Sequence, residues 1–173
     1  MASKYKSYSI KNVFQNIDSV TRTEIIELWT SNEVLNVAEA HKRAHEVLFT
    51  ITNPSGRLCG VNTVYVHSFR AKDNNYYYMR AFIRKEDRGV WGLLLSVTTK
   101  TLSFLETYPS SASPPKGILI IVENRKIWRK GYRRYLERHG WNYLGMGPKG
   151  NHIWYQNFDG SLMPADIIQQ FQT

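Results

Sequence analysis

The stretch Tyr78 to Leu105, YMRAFIRKEDRGVWGLLLSVTTKTLSFL, changes period halfway, from strand-like alternation to a helical repeat, and its join carries Arg84, Lys85, Arg88, Gly89 and Gly92. A strand that stops at a glycine and turns at once into a helix exposes several backbone N–H groups, with the positive end of the helix dipole behind them. Such a junction suits phosphate. The three cations add mobile positive charge, and the glycines let a bulky anion come close to the backbone. The same residues also fit a plain turn with solvated charges, and spacing alone leaves both readings open.

A second charged constellation lies downstream in RKIWRKGYRRYLER. At helical spacing Arg125, Arg129 and Arg133 stack at i, i+4, and Lys126, Lys130, Arg134 and Arg138 form the adjacent row. Seven cations face a lone acid, Glu137. Like charges at that spacing cost about 0.2–0.5 kcal/mol per pair in isolated helices, so an anionic partner would relieve the arrangement. Arg125, Lys126, Arg129, Lys130, Arg133 and Arg134 are therefore candidate contacts to DNA or RNA, with tyrosine-rich segments such as NNYYYMR available to stack on bases. Solubility, or pairing with Glu24, Glu27 and Glu33, is the competing role. Among five histidines and one cysteine there is no metal-ligand spacing and no Ser-His-Asp order, so no metal is expected.

These residues need a scaffold, and 173 residues can bury a core as one domain spanning 1–173. The net charge of +9 favours an anionic partner. Cys59 is alone and forms no internal disulfide, and the N-terminus lacks a signal-peptide pattern, so a cytoplasmic protein is expected. The longest apolar run, GILIIV, is strand length, and no membrane partner is expected.

Periodicity predicts a first strand in YKSYSIKNV, a helix in SVTRTEIIELWTSN capped by Thr21 or Thr23, and a second helix in NEVLNVAEAHKRAHEV. Two strands then flank the turn Asn53-Pro54-Ser55-Gly56, and YYYMRAFIR makes a third. The helix after Gly92 runs to about Thr107, and the proline-bearing YPSSASPPKG is a surface loop. The buried strand GILIIV follows, then a basic helix from about Lys126 to His139, and finally strands in WNYLG and HIWYQNF.

This order resembles the GNAT superfamily, the Gcn5-related N-acetyltransferases, from about Tyr8 to Phe158. RKEDRGVWGLLL falls where that family has its pyrophosphate loop, GILIIVENRK at its fifth strand, and YLERHGW is similar to the end of its fourth helix. The resemblance implies an α/β (α+β) fold of about seven strands in a mixed, mostly antiparallel sheet flanked by about four helices. It implies an acyl-CoA-dependent N-acyltransferase using acetyl-CoA or another acyl-CoA, held by Phe82, Ile83, Arg84, Arg88, Gly89, Val90, Trp91, Gly92 and Asn124. Neither register of the loop keeps both small residues of the family pattern, since the fourth and sixth places fall on Trp91 and Leu93 or on Gly89 and Trp91.

Transfer to an amine needs a neutral nucleophile and an acid for the leaving thiolate, a role tyrosine commonly fills in that family. The usual tyrosine place holds Leu136, with Tyr135 and Tyr132 as neighbours. Glu123 and His67 are candidate bases. The amine acceptor is not identified by the sequence. GNAT-like phage proteins that modify DNA bases give one alternative. A non-catalytic nucleic-acid-binding or partner-inhibiting module on the same scaffold gives another.

Overall fold

A computed structural model describes residues 2–68, 74–90, 92–108, 113–122, 130–147 and 150–172. Eight strands are hydrogen-bonded in the order β1-β2-β3-β4-β5-β6-β8-β7. They are β1 (Ala2–Tyr5), β2 (Tyr8–Asn12), β3 (Val47–Thr52), β4 (Leu58–Ser68), β5 (Asn75–Ile83), β6 (Gly117–Val122), β7 (Asn142–Met146) and β8 (His152–Asn157). The helices are α1 (Ser19–Ser31), α2 (Val37–Arg43), α3 (Leu93–Thr107), α4 (Lys130–Arg138) and α5 (Ala165–Gln172). The fold is therefore α/β, with the expected seven strands and four helices joined by β1 and α5. No described helix is long and apolar enough to cross a membrane.

The single strand expected at the start is in fact a hairpin. Lys6 and Ser7 both have positive φ, 46° and 72°, and fold β1 back on β2. That is the backbone of a two-residue hairpin turn without the usual glycine or asparagine. The cap of α1 also differs from expectation. Asp18, not a threonine, accepts the Thr21 N–H at 2.8 Å, because a carboxylate just ahead of the first turn satisfies an orphan donor there. The β3–β4 turn is as expected, with the Asn53 side chain accepting from the N–H groups of Ser55 and Arg57.

Contacts divide the chain into two compact units, Met1–Val64 with Arg80–Leu105, and Tyr65–Met79 with Glu106–Thr173. In the first, Val13, Ile25, Leu28, Trp29, Ala40, Ala44, Val47 and Val61 form a core beneath α1 and α2. Two residues of β3 oppose one of β4 between Val47 and Phe49. This bulge lets Val47 join that core while Phe49 meets Phe104 of α3 edge-on at 6.4 Å. The buried Asn62 fixes α3 by accepting from Thr101 Oγ1 at 3.1 Å and donating to the Arg80 carbonyl at 3.3 Å.

In the second unit Tyr76, Leu119, Leu144, Ile153, Tyr155, Met163 and Ile167 form the core. Strand β6 pairs antiparallel with β8 along its whole length and parallel with β5 at Tyr77–Met79. GILIIV is buried nearly throughout, as a strand covered on both faces must be.

Candidate functional site

The expected junction exists. β5 ends at Ile83, and Arg84 still donates its N–H to the Cys59 carbonyl at 2.8 Å. A side chain at Gly60 would lie 2.7 Å from the Phe82 carbonyl, so β4 can hug this strand end only as glycine. A single 3-10 turn, Lys85–Asp87, then reverses the chain. Arg88 folds back, donating from Nε to the Ile83 carbonyl at 2.7 Å with its guanidinium 5.6 Å from the Phe82 ring centre. Four of the expected cofactor-binding residues, Phe82, Ile83, Arg84 and Arg88, are thus gathered at one strand end.

Gly89 and Val90 continue the turn, and Gly92 opens α3 with φ of 85°. The helical ladder begins when Ser96 donates to the Gly92 carbonyl at 2.8 Å. The N–H groups of Leu94 and Leu95 precede that first bond. Glycine at this place offers no side-chain cap, and the first turn of α3 contains no acid. The positive end of the dipole is therefore not neutralised by the helix's own residues. Space around Gly89 is open among the described residues, none of which comes within 4 Å of where a side chain would begin. Gly92 differs, because a side chain there would collide with the Tyr5 hydroxyl and lie 3.0 Å from the Tyr5 ring carbon Cζ.

Sequence reasoning missed the residues that hold this turn. Tyr8 donates its hydroxyl to Asp87 Oδ1 at 2.9 Å, and both side chains are buried. Burial first, then the Asp87 carboxylate, pushes the Tyr8 phenol up to about 12. The Cys59 thiol is pushed up to about 12 by burial and then by the same carboxylate, against the opposing pull of Arg84. Asp87 is the charge at the centre of this group. The only sequence signal was the spacing of Tyr5 and Tyr8, which becomes informative once Lys6-Ser7 is known to be a turn.

Arg84 Nε is buried, 3.6 Å from Glu86 Oε2, and has no hydrogen-bond partner among the described residues. Its side chain also lines a cleft of about 170 Å³ with Glu24, Glu27, Ser31, Asn32 and Arg57.

The candidate acids lie in the second unit, on α4. This helix ends in a Schellman motif, with Trp141 N–H on the Leu136 carbonyl at 3.0 Å, Gly140 N–H on Glu137 at 3.3 Å, and Gly140 at φ of 81°. Leu136 and Trp141 are both buried beneath it. The cap fixes the phase of the helix and puts Leu136, the position at which the sequence resemblance would place a tyrosine, in the core. Tyr132 and Tyr135 are half-buried on either side of it. Tyr135 stacks on His139 at 3.9 Å. Tyr132 is pushed up to about 12, chiefly by burial, and keeps its proton at neutral pH. His67 is exposed near the end of β4. Trp91, Glu123, Asn124, Arg125, Lys126 and Arg129 lie outside the described residues, as does the side chain of Lys130. Arg133 and Arg134 are exposed on α4. No group of three or more potential metal ligands occurs among the described residues.

No family model matches this sequence, and no curated protein matches it. Solved structures do. A GNAT-family acetyltransferase from Listeria monocytogenes aligns with a TM-score of 0.60 and 14% identity over 91% of this chain and 99% of that one. The ribosomal-protein-S5-alanine acetyltransferase from Vibrio fischeri aligns with a TM-score of 0.57 and 13% identity over 94% and 100%. A GNAT-family acetyltransferase from Streptococcus pneumoniae aligns with a TM-score of 0.54 and 10% identity over 87% and 98%. Strand order, the turn after β5 and these alignments agree that the chain has the fold of the GNAT acetyltransferases.

Proposed function

We propose that this protein is an acyl-CoA-dependent N-acyltransferase whose coenzyme diphosphate binds at the start of α3. The observation that carries the reading is the helix start at Gly92, which offers no capping side chain of its own and is followed by a first turn without an acid. Phosphate is the ligand class for such an end. The residues fit it in three ways. The N–H groups of Leu94 and Leu95 lie ahead of the first helical bond, Arg84 and Arg88 stand at the preceding strand end, and the space around Gly89 is open. The buried Asp87 carboxylate opposes an anion, but its contact with Tyr8 turns it into the sheet.

Bound acetyl-CoA or another acyl-CoA would supply the thioester whose acyl group is transferred. The chain would do the rest. The backbone N–H groups and the arginines orient the phosphates, and Tyr135 or Tyr132 on α4 is the phenol proposed to give a proton to the leaving thiolate, a transfer that burial makes harder for Tyr132 by raising its pKa to about 12.

The test is calorimetry with coenzyme A on wild type and Gly89→Val. No described residue crowds position 89, so the variant is expected to fold normally while its branched side chain blocks the approach of phosphate. Affinity is expected to fall at least tenfold. Equal affinity removes the turn from the function.

A second reading, a non-catalytic module on this scaffold, is favoured by the buried Leu136 at the family's tyrosine place. Coenzyme A binding with no acyl transfer to any amine tried would support it.

A further inference from the structure

The charge of α4 is distributed in a way that packing does not explain. Leu136 is fully buried, and Tyr132 and Tyr135 occupy the flanks of the packed side. Arg133, Arg134 and Arg138 are exposed on the remainder. Arg133 pairs with Glu137 at 2.9 Å, between side chains that are 52% and 46% exposed. Such a pair contributes little, about 0.2–1 kcal/mol. Arg134 and Arg138 form no ion pair among the described residues, although they stand four positions apart in one row. Four residues of helix span about 6 Å, close enough for the two cations to repel.

We propose that this face of α4 binds the phosphate backbone of a nucleic acid. Charge complementarity carries the choice of partner. A row of guanidinium groups suits a linear array of phosphates, because each fork can take two oxygens of one phosphate. An anionic membrane suits it less, since interfacial helices insert an apolar side and here that side is occupied by the core. Next to α4, Tyr143 of β7 is 40% exposed and its hydroxyl lies 2.8 Å from His152 Nδ1. The charge of Arg133 reaches His152 and, after burial, helps hold the imidazole below its ordinary pKa. Beside Arg133 there is thus a partly exposed aromatic ring, packed on His152 and Trp154 at 5.8 and 5.1 Å between centres, whose open edge a base could meet. This inference does not depend on acyl transfer.

The experiment is fluorescence anisotropy of the full chain with labelled duplex DNA and labelled single-stranded RNA across a salt series. Log affinity should fall linearly with log salt, by about 0.9 per phosphate contacted for duplex and about 0.7 for single strands. Arg133→Gln, Arg134→Gln and Arg138→Gln combined should flatten the duplex slope by about two to three units. Arg134→Gln alone, which disturbs no described contact, should flatten it by about one. Lys11→Gln with Lys42→Gln, exposed cations of the other unit, should leave the slope unchanged. Absence of salt-dependent binding in the wild type overturns the proposal, and so does an unchanged slope in the arginine variants. Equal binding to phosphatidylserine vesicles or to polyglutamate, lost in the same variants, also overturns it in favour of a general polyanion surface.

Discussion

Replacing Gly92 with alanine separates two demands that the start of α3 makes on one residue. Its φ of 85° costs an L-residue about 1–2 kcal/mol, because Cβ then crowds its own carbonyl. The new methyl would also collide with the Tyr5 hydroxyl, and with Cζ at 3.0 Å the ring cannot simply retract by rotating about its axis. Forcing a shift of that kind costs about 1–3 kcal/mol. The total expected loss is about 2–5 kcal/mol. Urea titration followed by fluorescence would measure it in two backgrounds. In Tyr5→Ala the collision disappears, so Gly92→Ala should cost only the conformational part, about 1–2 kcal/mol, leaving a coupling of about 1–3 kcal/mol between the two positions. Gly89→Ala serves as the reference, since no described residue lies within 4 Å and its φ is not positive, and it should stay within about 0.5 kcal/mol of wild type. An equal cost for Gly92→Ala in both backgrounds would refute the contact with Tyr5. A cost no larger than that of Gly89→Ala would refute the left-handed start of the helix.

Cys59 and Tyr8 make stability fall in alkali. Their folded pKa values are raised, to about 12 from 9.0 and 10.0, so their contribution is complete below pH 9 and is lost as pH rises toward 12. Cys59→Ala should flatten the fall between pH 9 and 10 by up to one proton's slope, about 1.4 kcal/mol per pH unit, in urea titrations at each pH. An unchanged slope would place the thiol's pKa at its ordinary value. Tyr132→Phe keeps the ring and removes the donor, so turnover should drop about 10²- to 10⁴-fold with little change in stability. With that phenol near 12, the wild-type rate should show no loss attributable to it below about pH 11. Undiminished turnover in Tyr132→Phe would remove it from the chemistry.

The parts of the fold that the sequence made legible are those where the signal is local. The β3–β4 turn announces itself through Asn53-Pro54-Ser55-Gly56, whose asparagine side chain holds the bend, and β6 through an apolar run that only a doubly covered strand tolerates. The hairpin at Lys6-Ser7 was not legible. Neither residue favours positive φ, so the turn is held by pairing between β1 and β2 and not by its own propensity. Helix α4 was half legible. Its period, its basic face and the packed face carrying Tyr132, Tyr135 and Leu136 were readable from helical spacing, but that Leu136 alone of these three is fully buried depends on the Schellman ending at Gly140, which spacing does not give.

The candidate site divides along the same line. Arg84, Arg88, Gly89 and Gly92 were visible because a period change marks where a strand becomes a helix, and chemistry follows from the backbone exposed there. Their supports were invisible because they come from a distance. Tyr8 reaches Asp87 across 79 positions of sequence, and Tyr5 meets Gly92 from a strand that periodicity had merged with the next. Asp87 then acquires a meaning that the string RKEDRG could not give it. Among the two acids of that string, Glu86 stays exposed beside Arg84, while Asp87 is drawn into the sheet by a phenol that burial keeps protonated. A carboxylate facing outward from this turn would repel phosphate. The same carboxylate facing inward anchors the turn to β2 and leaves Glu86, 3.6 Å from Arg84, as the acid on the outward side, so the turn's capacity for an anion depends both on that pair and on the hairpin β1–β2.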